Sequence, residues 1–487
     1  MHEGGPLSAV ARGARGGSVT IAGQVLKALL KFFGAIILSR LLPPEDFGLV
    51  AMVTVLVAFG ELLRDVGLST SALRAPTLTQ QQASNMLWLN TLLGLFTAVL
   101  LAAATPLLVT LYDEPRLAAI TPVLAICLAL NGLQSQVRVQ MARNHQYTGI
   151  AVTDLISQIF GYGVAIYGAA VGWGYWALVW QPLVTAVTLL IMRFGMARWV
   201  PSWPRRRANT KDLVLSGINF GATDILGYFA SNTDTMMIGA VWGATPLGYY
   251  NRAYQLITMP VTSMLAPLTN VVVPTVNAAR KAGNNIGRLL LRIQGAVGFG
   301  TTFVFAVTAA SADVLIPFVL GENWVGSIGI TQILALGGAA QAFYQVAMWA
   351  FITEGSSRQM LRCNLVTRLL TVALVVGGTF ISVEGAAWAY SISLAVSWPI
   401  SLWWLERSTS LKAHQFLGGG VRTLLVGAAS SLPVMFLTVP GGAYWLQTLI
   451  KAAIAGVLFV GLTALSRGGR QDLRSLGAVV SRSVRGA

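Results

Sequence analysis

The sequence predicts an all-α polytopic membrane protein of about 14 transmembrane helices, from its apolar content, its shortage of charge and the placement of its basic residues. The chain of 487 residues is 55% hydrophobic and 10% charged. Soluble globular chains carry roughly 25% charged residues, so this one could not cover a water-facing surface. Its 33 basic and 17 acidic residues give a net charge of +16. An excess of that size serves either nucleic-acid binding or the cytosolic loops of a membrane protein. Cys127 and Cys363 lie within or beside apolar stretches, which leaves no disulfide framework and no metal cluster. No cofactor is expected.

Each span needs about 20 mainly apolar residues, because its backbone polar groups must be satisfied internally across about 30 Å of hydrocarbon. Residues 1–17 are Gly-rich, carry Arg12 and Arg15 and lack a signal-peptide core, so they read as a cytosolic tail. Spans one and two, at 18–42 and 47–66, are divided by Pro43, Pro44, Glu45 and Asp46. Prolines cost little at a helix start, and acids suit the positive end of its dipole. Spans three to six follow at 83–111, 117–137, 149–171 and 173–196, and the longest basic loop, about 197–211, closes them off. Spans seven to twelve run at 212–240, 246–276, 290–320, 327–352, 360–382 and 385–405, with a further pair at 416–437 and 444–465.

The segments LPPEDFGLVA at 42–51 and TPLGYYNRAY at 245–254 follow similar outward helices, which suggests a repeat. The expected organisation is two six-helix lobes, 1–200 and 201–410, around a central cavity, with a C-terminal helix pair and basic tail at 411–487. Repeats of six spans are a recurring transporter plan with substrate held near the midplane.

If the amino terminus is cytosolic, 25 of the 33 basic residues fall in inside segments, and only Arg40 and Arg116 fall outside. That satisfies the positive-inside rule and returns the carboxy terminus to the cytosol. Spread over eight segments with no folded domain to present them, these charges exclude nucleic-acid binding and leave membrane lipids as the surroundings. The densest run, at 203–207, reads as a topological anchor or a partner site. Trp173, Tyr175, Trp176, Trp242, Tyr249, Tyr250, Trp324 and Tyr444 cluster at outer span ends, where an aromatic belt is expected.

Ionisable groups left inside spans are costly and are site candidates. Lys27 and Lys31 share one face of span one. They form either a ladder for a phosphate-bearing substrate or snorkelling groups, with Glu61 as a structural partner. Asp234 and Arg252 lie at equal depth on adjacent antiparallel helices, a clamp or a gate. Asp224, deeper in span seven, is the candidate proton- or cation-coupled group, alternatively a hydrogen-bonded structural acid. Arg368 either lines an inward cavity or snorkels. Glu61, Arg64 and Asp65 form a cluster near the inner end of span two. Arg422 and Lys451 read as snorkelling.

Four segments, ILSRLLPPEDFGLVAM at 37–52, LLRDVGLSTSALRAP at 62–76, LGYYNRAYQLITMP at 247–260 and VLGENW at 319–324, resemble landmarks of Wzx-type polysaccharide flippases, in particular the colanic acid and xanthan exporter branch. That family belongs to the multidrug/oligosaccharidyl-lipid/polysaccharide exporter superfamily. The resemblance implies transfer of undecaprenyl-diphosphate-linked oligosaccharide repeat units to the periplasmic leaflet of the bacterial inner membrane by alternating access. The polysaccharide polymerase and chain-length machinery are its implied partners. Related lipid II flippases place arginines of helices one, two and eight in the cavity. Here Arg252 falls on helix eight and Arg64 on helix two, while helix one offers Lys27 and Lys31. Substrate binding is therefore expected at Lys27, Lys31, Arg252 and Arg368, and coupling or gating at Asp224, Asp234, Glu61 and Arg64. No catalytic residue is expected. The alternatives are a drug/cation antiporter of the same superfamily, whose cavity should be acidic, and a membrane-embedded glycan polymerase or ligase, which should display a large outer loop.

Overall fold

The computed structural model describes residues 6–197, 199–205, 210–409, 411–466 and 468–470. Side chains of 6–22, 211–213, 216–224, 226, 260, 262–264 and 266 lie outside that description. Among the described residues the fold is all-helical, with no strand. Nine helices among the described residues are long and apolar enough to cross a membrane. The chain divides into two compact units, Met1–Gly248 and Tyr249–Ala487.

In the first unit, α1 spans Pro6–Leu41 and α2 spans Pro44–Asp65. Pro44 occupies the first turn of α2 beside Glu45 and Asp46. A short helix absent from the sequence reading, α3 (Leu68–Arg74), follows a break at Val66 and Gly67, both with positive φ. Next, α4 (Gln80–Ala103) opens on a capping box between Thr79 and Gln82, which satisfies two orphan donors reciprocally. The third predicted span divides here, because α5 (Thr105–Tyr112) starts anew with Pro106 in its first turn. Then come α6 (Leu117–Arg143), α7 (Tyr147–Ala170), α8 (Trp176–Ala197) and α9 (Lys211–Trp242). α6 packs on α2, α4 and α8, α7 packs on α1 and α8, and α9 runs along α2 and α3. Tyr228 on α9 donates its hydroxyl to the Val55 carbonyl of α2.

Two glycines let α4 and α6 touch backbone to backbone. A Cβ on Gly94 would stand 2.7 Å from the Leu128 carbonyl oxygen, and one on Gly132 would stand 2.6 Å from that of Asn90. Small residues at such crossings are the usual way helices approach closely in lipid. The basic loop is also ordered by α4. Along 199–205, Gln80 and Gln81 donate to the Val200 and Trp203 carbonyls, Asn85 exchanges two hydrogen bonds with the Arg205 backbone, and Trp88 stacks on Trp203 at 5.5 Å. Arg206 and Arg207 lie outside the described residues.

α10 (Ala244–Lys281) opens within the first unit and continues into the second. The second unit further holds α11 (Ile286–Val319), α12 (Ile328–Thr353), α13 (Ser357–Thr379), α14 (Val383–Ser408), α15 (Ala413–Met435) and α16 (Tyr444–Leu465). Both α15 and α16 lie against α11. Lys451 corrects the snorkelling expectation: it is 1% exposed, and its Nζ donates to Asp313 at 2.6 Å, tying α16 to α11. A fully desolvated ammonium needs that counter-charge. Trp324 and Tyr250 leave the expected aromatic belt as well, since both are buried. Trp324 instead meets Tyr249 edge to face at 6.2 Å.

Candidate functional site

Polar residues of α1, α2, α3, α6, α7 and α8 converge on a cavity of about 740 Å³ inside the first unit. Its construction follows from helical periodicity. Asn131, Gln134, Ser135, Arg138 and Ala142 line it from α6, and their spacing of three and four places them on one face. Lys27 enters from α1, Glu61 and Arg64 from α2, Asp154 from α7 and Arg193 from α8.

These side chains form one continuous hydrogen-bonded relay. Lys27 Nζ donates to Asp154 Oδ2 at 3.2 Å, and Arg193 Nη2 donates to Asp154 Oδ1 at 2.5 Å. Arg193 Nη1 reaches Gln134 Oε1 at 2.7 Å, and Gln134 Nε2 reaches Asn131 Oδ1 at 2.5 Å. Asn131 Nδ2 donates to Glu61 Oε1 at 2.6 Å. Glu61 Oε2 accepts Arg64 Nε at 3.0 Å and Nη2 at 2.6 Å, a forked contact. Seven side chains on five helices are thus joined without interruption.

Arg64 and Arg193 are buried, at 7% and 6% exposure. Burial at that level is tolerable because each guanidinium meets a carboxylate. Even so, Arg64 Nη1 and Arg193 Nε have no hydrogen-bond partner among the described residues. Asp154 serves two cations with one charge. Asp65, the third acid in the wall, accepts from Ser69, whose N–H and hydroxyl donate to it at 3.2 and 2.5 Å. The cavity therefore carries four cationic groups, Lys27, Arg64, Arg138 and Arg193, against three carboxylates.

Of the residues singled out from the sequence, the structure brings Lys27, Glu61 and Arg64 together here. Lys27 pairs with Asp154 rather than Glu61. Lys31 is exposed four residues further along α1. Asp234 is buried on α9, its carboxylate accepting from the Thr235 N–H at 2.8 Å. The Asp224 side chain lies outside the described residues. Arg252 and Arg368 belong to the second unit. There Arg252 donates to Gln255 at 3.0 Å, and Arg368 is exposed on α13.

Arg193 and Arg138 are residues that sequence reasoning passed over, both counted among the 25 basic residues of the cytosolic segments. Arg193 in fact sits in an apolar run, LLIMRFGMA at 189–197, which already placed it inside a helix. For Arg138 the signal was the polar stripe Asn131, Gln134, Ser135 leading to it.

The model of the family described as "Polysaccharide biosynthesis protein" matches residues 37–329. The chain is 22% identical over 404 residues to the teichuronic acid biosynthesis protein TuaB of Bacillus subtilis, covering 82% of this chain and 83% of that one. It is 22% identical over 458 residues to the succinoglycan biosynthesis transport protein ExoT of Rhizobium meliloti, covering 92% and 91%. Among solved structures, the lipid II flippase MurJ in an inward closed conformation superposes with a TM-score of 0.72 at 13% identity, over 92% of this chain and 98% of that one. An inward-facing multidrug resistance MATE family transporter gives a TM-score of 0.57 at 12% identity, over 79% and 94%. These likenesses give the chain the MurJ and MATE transporter fold.

Proposed function

We infer, from the premise that the chain belongs to the polysaccharide biosynthesis protein family, that it is a flippase moving lipid-linked oligosaccharide repeat units across the bacterial inner membrane by alternating access. The observation that carries this reading is the half-open, polar-lined cavity of about 740 Å³ among apolar helices, with cations in excess of acids. A sugar headgroup crossing hydrocarbon would lose water at each hydroxyl, at a cost of a few kcal/mol per unpaired group. A wall of amides, hydroxyls and charges replaces those hydrogen bonds, while the polyprenyl tail stays in lipid. Net positive charge suits the diphosphate linkage and disfavours the cationic cargo of a drug antiporter.

On this reading both termini are cytosolic, and the cavity loads from the cytosolic side, where the C-terminal end of α6 lies. Lys27 and Arg64 belong to the loading site, with Lys31, Arg252 and Arg368 as further contacts along the route. Asp224 and Asp234 are the coupling acids, driven by an ion gradient or the membrane potential. Product consumption by a polysaccharide polymerase and its chain-length partners would draw transport forward.

The test is reconstitution of the full chain in liposomes with fluorescent lipid-linked oligosaccharides, reading headgroup accessibility to a membrane-impermeant quencher under imposed proton and sodium gradients. Protein-dependent movement of the headgroup is expected. Absence of movement for every lipid-linked glycan supplied, under all gradients, would overturn the assignment.

A further inference from the structure

We propose that Arg138 is the residue that takes the phosphoryl anion of the cargo; this rests on the flippase reading and adds to it a binding residue that neither the motifs nor the family resemblance singles out. The charge accounting inside the cavity isolates it. Arg64 is committed to Glu61 through two nitrogens. Lys27 and Arg193 divide Asp154 between them. Asp65 is held by Ser69. Arg138 lines the same space with its side chain exposed, and no described residue forms an ion pair or hydrogen bond with its guanidinium. It is the cavity cation whose donors are all uncommitted.

Its position is fixed by rigid neighbours. Arg138 stands one turn from Gln134 and Ser135 on α6, and Gln134 is locked between Arg193 and Asn131. A planar guanidinium on a braced helix presents a fork that matches two phosphoryl oxygens, which a lysine cannot reproduce. Thr70 lines the same cavity and can donate its hydroxyl to a further phosphoryl or sugar oxygen, whereas the Ser69 and Ser135 hydroxyls already donate to Asp65 and the Gly132 carbonyl. Lys27, which shares its carboxylate with Arg193, supplies the second positive group.

The same chemistry could be met by a lipid-linked diphosphate or by a free one, so both are used as probes. Binding of farnesyl diphosphate, inorganic pyrophosphate and neutral farnesol is measured by thermophoresis on the full chain in detergent, for the native protein, Arg138→Gln and Arg138→Lys. Each variant is first checked for a monodisperse elution profile and a native-like circular dichroism spectrum. Loss of one charge-assisted contact should weaken diphosphate binding about tenfold or more in Arg138→Gln. Arg138→Lys should recover part of it, and farnesol should be indifferent to both variants. Pyrophosphate binding as tightly as farnesyl diphosphate would locate recognition in the phosphoryl group itself. Preference for the farnesyl form would add a contact from the lipid, and either pattern supports the assignment if it depends on Arg138. Equal affinity in native protein and folded Arg138→Gln would overturn it, as would failure of both diphosphates to bind the native protein. The flippase reading fails separately, through absence of headgroup movement in liposomes while Arg138-dependent binding persists.

Discussion

Asp154 holds two cations from two different helices at once, Lys27 at 3.2 Å and Arg193 at 2.5 Å. Removing its charge leaves Arg193, 6% exposed, without a counter-ion. Loss of one partner from a buried pair costs roughly 3–5 kcal/mol, and the partial exposure of Lys27 puts this case toward the lower end. Asp154→Asn should therefore lower the thermal unfolding midpoint of the detergent-solubilised protein markedly. Adding Arg193→Met, which withdraws the stranded charge, should return part of the loss. Additive losses in the double variant would mean that the two groups do not interact. The sequence reading singles out neither residue, Arg193 being one of the 25 basic residues counted in cytosolic segments. Nothing in one dimension shows that positions 39 residues apart share a depth, so the pair was invisible until α7 and α8 were packed together. Lys451 was misread for the same reason, because snorkelling and a buried ion pair with Asp313 look alike from sequence.

Among elements, thirteen of the fourteen predicted apolar stretches each fall on one long helix and the third divides between α4 and α5, since twenty apolar residues without a break leave the backbone no other way to satisfy itself in lipid. What length and hydropathy could not register is local. The short α3 depends on positive φ at Val66 and Gly67, and the fixed course of 199–205 depends on amide donors from α4. The α4–α6 crossing makes a direct prediction. Gly132→Ala would put a methyl group 2.6 Å from the Asn90 carbonyl oxygen. Overpacking of that kind costs about 1–3 kcal/mol. Gly163→Ala on α7, where a Cβ meets nothing within 4 Å, should be neutral or slightly stabilising, because alanine favours a helix. Equal unfolding midpoints for the two variants would remove the crossing as a constraint.

A second contact between elements is set by pH. Arg116, in the turn between α5 and α6, donates to Glu114 at 2.7 Å and to Glu45 of α2 at 2.5 Å. The hydrogen bond from Arg116 holds the Glu114 carboxyl below the usual carboxylate range. A depressed folded value means that the stabilisation is complete above the unfolded pKa, near 4.3. It is lost as the pH falls through the lower folded value. Since Arg116 is over a third exposed, the effect is that of a surface pair, about 0.2–1 kcal/mol. Glu114→Gln should lower stability at pH 7 by that small amount and flatten the acid limb of the stability curve. An unchanged acid limb would show that the clasp does not contribute.

At the scale of the molecule, the first unit is organised around polar contacts as much as apolar ones. In lipid, apolar side chains give helices little reason to prefer one neighbour over another, so packing and hydrogen bonds fix their positions. The relay from Lys27 through Asp154, Arg193, Gln134 and Asn131 to Glu61 and Arg64 supplies such bonds to α1, α7, α8, α6 and α2 in turn. Asn131 is its hinge-pin, accepting from Gln134 and donating to Glu61, so cutting there separates α2 from the rest of the relay while leaving all three ion pairs intact. If the relay makes these helices one cooperative body, Asn131→Ala should raise amide hydrogen exchange around Glu61 on α2 and around Arg193 on α8 together. Simple loss of a local bond would raise it on α6 alone. Hydrogen–deuterium exchange on native and variant protein in nanodiscs separates the two outcomes. A response confined to α6 would reduce the relay to a set of independent contacts, whereas a shared response would mean that charge taken up in the cavity is felt by the helices the relay joins.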